Sequence, residues 1–147
     1  MRLDVLLADL KRDEGERLSA YDDETGKPLL RGNVLVGKLT IGIGRNLSDN
    51  GITRDEAEYL ARNDIAEAIR ACRRIFLGWD AFSHARQEAL ANMAVNMGET
   101  RLRKFKKMLA AVESGDWAKA SAEAMDSDYG RKLEGRAKRV AAALLNG

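Results

Sequence analysis

At 147 residues and a formal net charge of +2, the chain is long enough for one domain with its own core and too short for more than two. Its 45% hydrophobic and 33% charged residues place it outside the disordered and membrane-embedded classes, and 13 Gly with a single Pro exclude collagenous and Pro-rich ones. One Cys and one His exclude an internal disulfide framework and the usual zinc clusters, so neither a metal nor another cofactor is expected.

In chain order, Asp4 and Asp9 interrupt the first apolar run, which therefore reads neither as a secretory signal nor as a membrane span. That reading predicts release into the cytoplasm and no stable membrane insertion. Leu3, Leu6, Leu7 and Leu10 recur at helical spacing and predict an amphipathic helix over 2–13, stopped by Gly15. From Glu16 to Gly44 turn-formers separate short β-branched runs, Val34-Leu35-Val36 and Leu39-Thr40-Ile41-Gly42-Ile43, as in a small antiparallel sheet. Thr53-Arg54-Asp55-Glu56 is a capping box opening a long helix to about Arg74, with Cys72 on its apolar face. Ser83 caps the next helix, which carries Ala89, Leu90, Met93 and Met97 and ends at Gly98. Further helices read as 102–113, 116–126 and 130–146. The fold class is α+β: a sheet lobe over 14–52, a connecting helix over 53–74, and a helical lobe over 75–147 that the first helix joins.

Charge is uneven. Residues 101–147 carry eleven Lys and Arg against six Asp and Glu, and Arg101-Leu102-Arg103-Lys104-Phe105-Lys106-Lys107 contains five cations without an acid. The run reads as a solvated helix face or as a patch turned to a polyanion. Acid–base chemistry needs a carboxyl whose pKa can rise, and Glu14 stands where the first helix gives way to the sheet. Asp23 follows nine positions later in a turn that could fold back on it. In the run Thr40-Ile41-Gly42-Ile43-Gly44, strand alternation puts Thr40, Gly42 and Gly44 on one face, where something can approach the backbone closely. Cys72 reads as buried and inert, His84 as structural.

Lys11 to Asp23, followed by Leu39-Thr40-Ile41-Gly42-Ile43-Gly44, resembles the catalytic segment of the phage T4-type lysozymes, the muramidase endolysins. That family has a Glu-Gly closing its first helix, an Asp nine positions after the Glu, and a Thr opening a T-[IV]-G-[IV]-G strand. Gly51 to Glu58, Asn92 to Thr100, Gly115 to Ala120 and Arg136 to Val140 resemble later family motifs in the same order. One departure is an insertion between Asp23 and Thr40, residues 24–39, which is expected to lengthen the hairpin at its tip. Loop closure costs rise slowly with length, so Asp23 and Thr40 can still meet at its base, although the adjacent Asp22 could take Asp23's place.

The resemblance implies hydrolysis of the β-1,4 bond between N-acetylmuramic acid and N-acetylglucosamine in bacterial peptidoglycan. It assigns Glu14 as general acid, kept protonated by partial burial, with Asp23 and Thr40 holding the attacking water for inversion. Arg136 would pair with Glu14, and Asn96 and Tyr129 would line the sugar groove. It further implies a monomer without a nucleic-acid partner, released to the periplasmic wall from the host cytoplasm through a holin pore. Two other classes stay open: a lytic transglycosylase, which does not need the Asp/Thr pair, and a non-catalytic basic module binding wall polymer or nucleic acid. A free endolysin and an enzyme of a tail or prophage particle are equally compatible with the sequence.

Overall fold

The computed structural model describes residues 2–147, which divide into two compact units, one up to Ala57 and one from Glu58. The first unit opens with helix α1 (Leu3–Glu14), and Gly15 at φ 74° ends it by turning the chain into extended backbone. Strands β1 (Arg17–Asp22), β2 (Leu39–Gly42) and β3 (Arg45–Asn46) form an antiparallel sheet in the order β1-β2-β3. Arg17 pairs with Gly42 and Tyr21 with Thr40, so a bulge in β1 absorbs the difference between four residues and two. A short helix α2 (Leu47–Asn50) follows, capped by the Asn46 side chain, and its Ser48 hydroxyl accepts the Leu39 amide at 2.8 Å.

The expected strand at Val34-Leu35-Val36 does not form. Residues 27–29 instead run beside the outer edge of β1, where the Asp22 amide donates to the Lys27 carbonyl and the Leu29 amide to the Ala20 carbonyl. The chain then turns at Leu30–Asn33, with the Asn33 Oδ1 accepting the Leu30 amide at 2.8 Å, and returns to β2 without a ladder. The insertion is thus a folded-back loop rather than a longer hairpin. β2 likewise ends sooner than expected, because Gly42 at φ 68° and Gly44 at φ 67° bend the run into the β2–β3 turn.

Helix α3 (Arg54–Ile75) begins with the expected capping box: the Glu56 amide donates to Thr53 Oγ1 at 3.2 Å and the Thr53 amide to Glu56 Oε2 at 2.7 Å. A 3₁₀ turn at Trp79–Ala81 precedes α4 (His84–Leu102), whose Ser83 cap accepts the Arg86 amide. Gly98, at φ 76° and ψ 163°, breaks α4 where the sequence places its end, and one more helical turn follows it. Helices α5 (Lys106–Glu113), α6 (Trp117–Met125), α7 (Asp128–Lys132) and α8 (Glu134–Asn146) complete the second unit. The single helix expected over 130–146 is two. Ser127 caps a short helix earlier, and Leu133 at φ −127°, ψ 46° leaves the helical region before α8 restarts.

α8 packs on α4, α6 and α7, and the second unit's core gathers Cys72, Phe76, Leu90, Met93, Leu102, Met108, Val112 and Leu144. Phe82 meets the Phe76, Trp79 and Trp117 rings edge-on at centroid distances of 5.1–6.3 Å. Burial, together with the nearby Glu99 carboxylate, pushes the Cys72 thiol up to about 12, in keeping with an inert core residue. Among the described residues no helix is long and apolar enough to cross a membrane. Leu90 has no exposed surface and is surrounded by this core, so Leu90→Ala should cost about 2–5 kcal/mol of stability. Urea unfolding should show a lower midpoint with an unchanged slope.

Candidate functional site

The buried side chains of the first unit include two that are polar, Asp22 at 2% exposure and Thr40 at 4%. Tyr21, the third, lies under the Arg17 guanidinium, which sits 3.8 Å from the ring centroid. β1 alternation turns Asp22 to the side where the insertion folds back, and four backbone amides converge on its carboxylate. Val36 donates to Oδ2 at 2.6 Å, while Glu24 and Thr25 donate to Oδ1 at 3.0 and 3.2 Å. Gly37 lies 3.1 Å from Oδ1 and 3.3 Å from Oδ2. Led by the Val36 bond, these donors hold the Asp22 carboxyl below the usual aspartate value, against the opposing effect of desolvation.

Asp23 is different. It is exposed, and its Oδ1 accepts the Lys38 amide at 2.6 Å. The Lys38 carbonyl in turn accepts the Asp23 amide at 3.1 Å and the Thr40 hydroxyl at 3.3 Å. One residue therefore anchors Asp23 and Thr40 together despite the insertion between them. Lys38 Nζ reaches Asp49 at 2.9 Å, which raises the lysine's pKa and lowers the aspartate's. Gly37 has no room for a side chain: an added Cβ would run into the Asp23 carboxylate and lie 2.6 Å from Glu24 Cβ.

Glu14, in the last turn of α1, is exposed rather than partly buried, and its carboxyl lies along the backbone of Gly44. A Cβ at Gly44 would stand 3.0 Å from Glu14 Oε2 and 3.2 Å from its Cδ, in addition to the strain of φ 67°. The close approach suggested by the glycines of the Thr40–Gly44 run is thus that of Glu14. Glu14, Asp23 and Thr40 all belong to the first unit.

In the second unit, Asn96 and Tyr129 line one concavity of about 860 Å³. Tyr129 is 6% exposed, and its hydroxyl is a buried polar atom without a hydrogen-bond partner. Burial raises its pKa, with Arg136 and Arg139 opposing. Arg136 itself lies in the first turn of α8, exposed and outside that lining.

The basic run is not one helix face, because α4 ends at Leu102 and α5 starts at Lys106. Leu102 is fully buried and Phe105 packs on the core, which leaves Arg101, Lys104, Lys106 and Lys107 on the rim of the concavity. Arg103 instead joins Arg74 on the Glu99 carboxylate, at 2.7 and 2.6 Å. Among the described residues no cluster of His, Cys, Asp or Glu is arranged to hold a metal.

The residues that sequence reasoning missed are Gly37 and Lys38, which act through their backbone, and Asp22 in its clamping role. The only signal was the doubled aspartate, which the insertion made ambiguous. Because the folded Asp22 pKa lies below the ordinary value of 3.8, its stabilising contribution is complete above that value and is lost as pH falls through the lower, folded one. Asp22→Asn should therefore melt below the wild type at pH 7. The gap in Tm should narrow steadily as both are scanned below about pH 4.

Residues 11–143 match the phage lysozyme family. The chain is 36% identical to the pre-baseplate central spike protein Gp5 of Enterobacteria phage T4 over 94% of its own length, and it spans 27% of that longer protein. It is 30% identical to probable T4-type lysozyme 2 of Dictyostelium discoideum, covering 89% of this chain and 88% of that one. Probable T4-type lysozyme 1 of the same organism is 26% identical, covering 94% of this chain and 92% of the other. With its three-stranded antiparallel sheet and helical second unit, the chain belongs to the phage lysozyme family, with that family's α+β fold.

Proposed function

We propose that this protein is a muramidase that hydrolyses the β-1,4 bond between N-acetylmuramic acid and N-acetylglucosamine in bacterial peptidoglycan. The observation that carries the reading is the shared anchoring of Asp23 and Thr40 on Lys38, with the Glu14 carboxyl on Gly44 of the same segment. Glycoside cleavage needs a proton donor at the leaving oxygen and a stabilised water or carboxylate at the anomeric carbon. Glu14 is the donor. It is exposed in the free protein, so the glycosidic oxygen of a bound sugar can reach its carboxyl.

Asp23 acts as the base that orients and deprotonates the water, with the Thr40 hydroxyl steering it, and attack from the face opposite the leaving group inverts the anomeric centre. Asp22 is unsuited to that task because four amides already occupy its two oxygens. Asn96 and Tyr129 line the sugar groove, and the cations around their concavity suit an anionic wall. The enzyme acts as a monomer and serves as a phage endolysin that leaves the host cytoplasm through a holin pore. The likeness to a baseplate spike protein favours a second reading, an enzyme carried in the particle, which mass spectrometry of purified virions would decide.

Glu14→Gln keeps the shape of the side chain and removes the transferable proton, so lytic activity on a peptidoglycan zymogram should fall about 10²–10⁴-fold with the fold intact. Asp23→Asn should be similarly severe. Retention of more than about a tenth of the activity by Glu14→Gln would remove the assignment.

A further inference from the structure

The insertion poses a mechanical problem that shorter hairpins do not have. Fifteen residues, 24–38, separate Asp23 from β2, and they make no strand ladder with β2. Lys38 nevertheless has to stand where its amide meets Asp23 Oδ1 at 2.6 Å and its carbonyl meets the Thr40 hydroxyl at 3.3 Å. The two residues before Lys38 are those whose amides Asp22 takes, Val36 at 2.6 Å and Gly37 at 3.1 Å. The Asp22 oxygens also hold the amides of Glu24 and Thr25, at the start of the same loop. A single carboxylate fixed on β1 thus ties both ends of the insertion together. Gly37 completes the arrangement, since the space a Cβ would occupy is filled by the Asp23 carboxylate.

We infer that Asp22 is a positioning residue for the hydrolytic reaction: its carboxylate clamps the ends of the 24–38 insertion so that the Lys38 backbone holds Asp23, and with it the attacking water, in register with Thr40. The inference rests on the reading of Asp23 as the water-orienting base. Asp22 itself touches neither water nor sugar. It acts through the loop, so its loss should displace Asp23, and a displacement of about 1 Å can cost on the order of a hundredfold in rate. An asparagine fills the same volume but turns one oxygen into an N–H₂ donor facing backbone donors, which opens the clamp without leaving a cavity.

The test is a double-mutant cycle on the full chain with solubilised glycan strands of peptidoglycan as substrate, run well below the melting temperature of every variant. Asp22→Asn should lower kcat about ten- to a hundredfold and change KM less than about twofold. The combined Asp22→Asn/Asp23→Asn variant should be no slower than Asp23→Asn alone, because a residue that works only through Asp23 has nothing left to position. Unchanged kcat in folded Asp22→Asn would overturn the inference, as would losses that multiply in the double variant or an effect confined to KM. Should Asp22→Asn fail to fold, Val36→Pro gives a second reading. It removes the amide bonded to Asp22 Oδ2 at a side chain that is 70% exposed and leaves both aspartates in place. Its kcat should fall in the same direction, and an unchanged kcat would again overturn the clamp. Full activity of Asp23→Asn would instead overturn the underlying reading of the site. Low activity there beside full activity of Asp22→Asn would overturn the positioning role alone.

Discussion

Four backbone amides drawn from two distant stretches of chain converge on one buried carboxylate, and the geometry of the first unit depends on that convergence. A charged acceptor leaves water at a cost, and hydrogen bonds to it have to offset that cost almost completely. Asp22 meets the requirement with backbone donors, so the residues that hold it are also the residues it holds. Glu24 and Thr25 leave β1, Val36 and Gly37 approach β2, and the carboxylate joins the two ends of the insertion. Where shorter hairpins rely on a tight turn, this protein closes a fifteen-residue loop with a charge.

The two units are stabilised in different ways. From Glu58 onward, a conventional apolar core of Leu, Met, Phe and Val side chains is enclosed by α3 to α8. Among the described residues up to Ala57, the buried set is one aromatic, one carboxylate and one hydroxyl, and polar bonds and glycine conformations set the shape. That division suits the proposed chemistry. Catalytic carboxyls have to stay hydratable and addressable, and a polar scaffold holds them in position without burying them. Glu14 illustrates the point: it is placed by a helix end and by the bare backbone of Gly44 rather than by an apolar pocket.

Much of the helical architecture was legible because its signals are local. The Thr53 and Glu56 capping box, the Ser83 cap and the Gly98 break each depend on residues within one turn of each other. The family resemblance was legible for a similar reason, since its motifs are short and occur in order. The failures came where a distant partner decided the outcome. Val34-Leu35-Val36 has the composition of a strand, but the Val36 amide goes to a carboxylate fourteen residues earlier. Neighbouring Asp22 and Asp23 are chemically identical in sequence, and strand alternation together with the returning loop buries one and exposes the other. The five cations of 101–107 look alike too, yet buried Leu102 and half-buried Phe105 turn a supposed helix face into a corner between two helices.

The central claim is that Glu14 delivers a proton while water held by Asp23 attacks from the opposite side of the sugar. Proton nuclear magnetic resonance of the first product released from soluble glycan strands, recorded before mutarotation, reads that stereochemistry directly. Cleavage of the β-linked bond should release the muramic acid end as the α anomer. Initial appearance of the β anomer, or of an anhydro sugar lacking a free reducing end, would contradict the account.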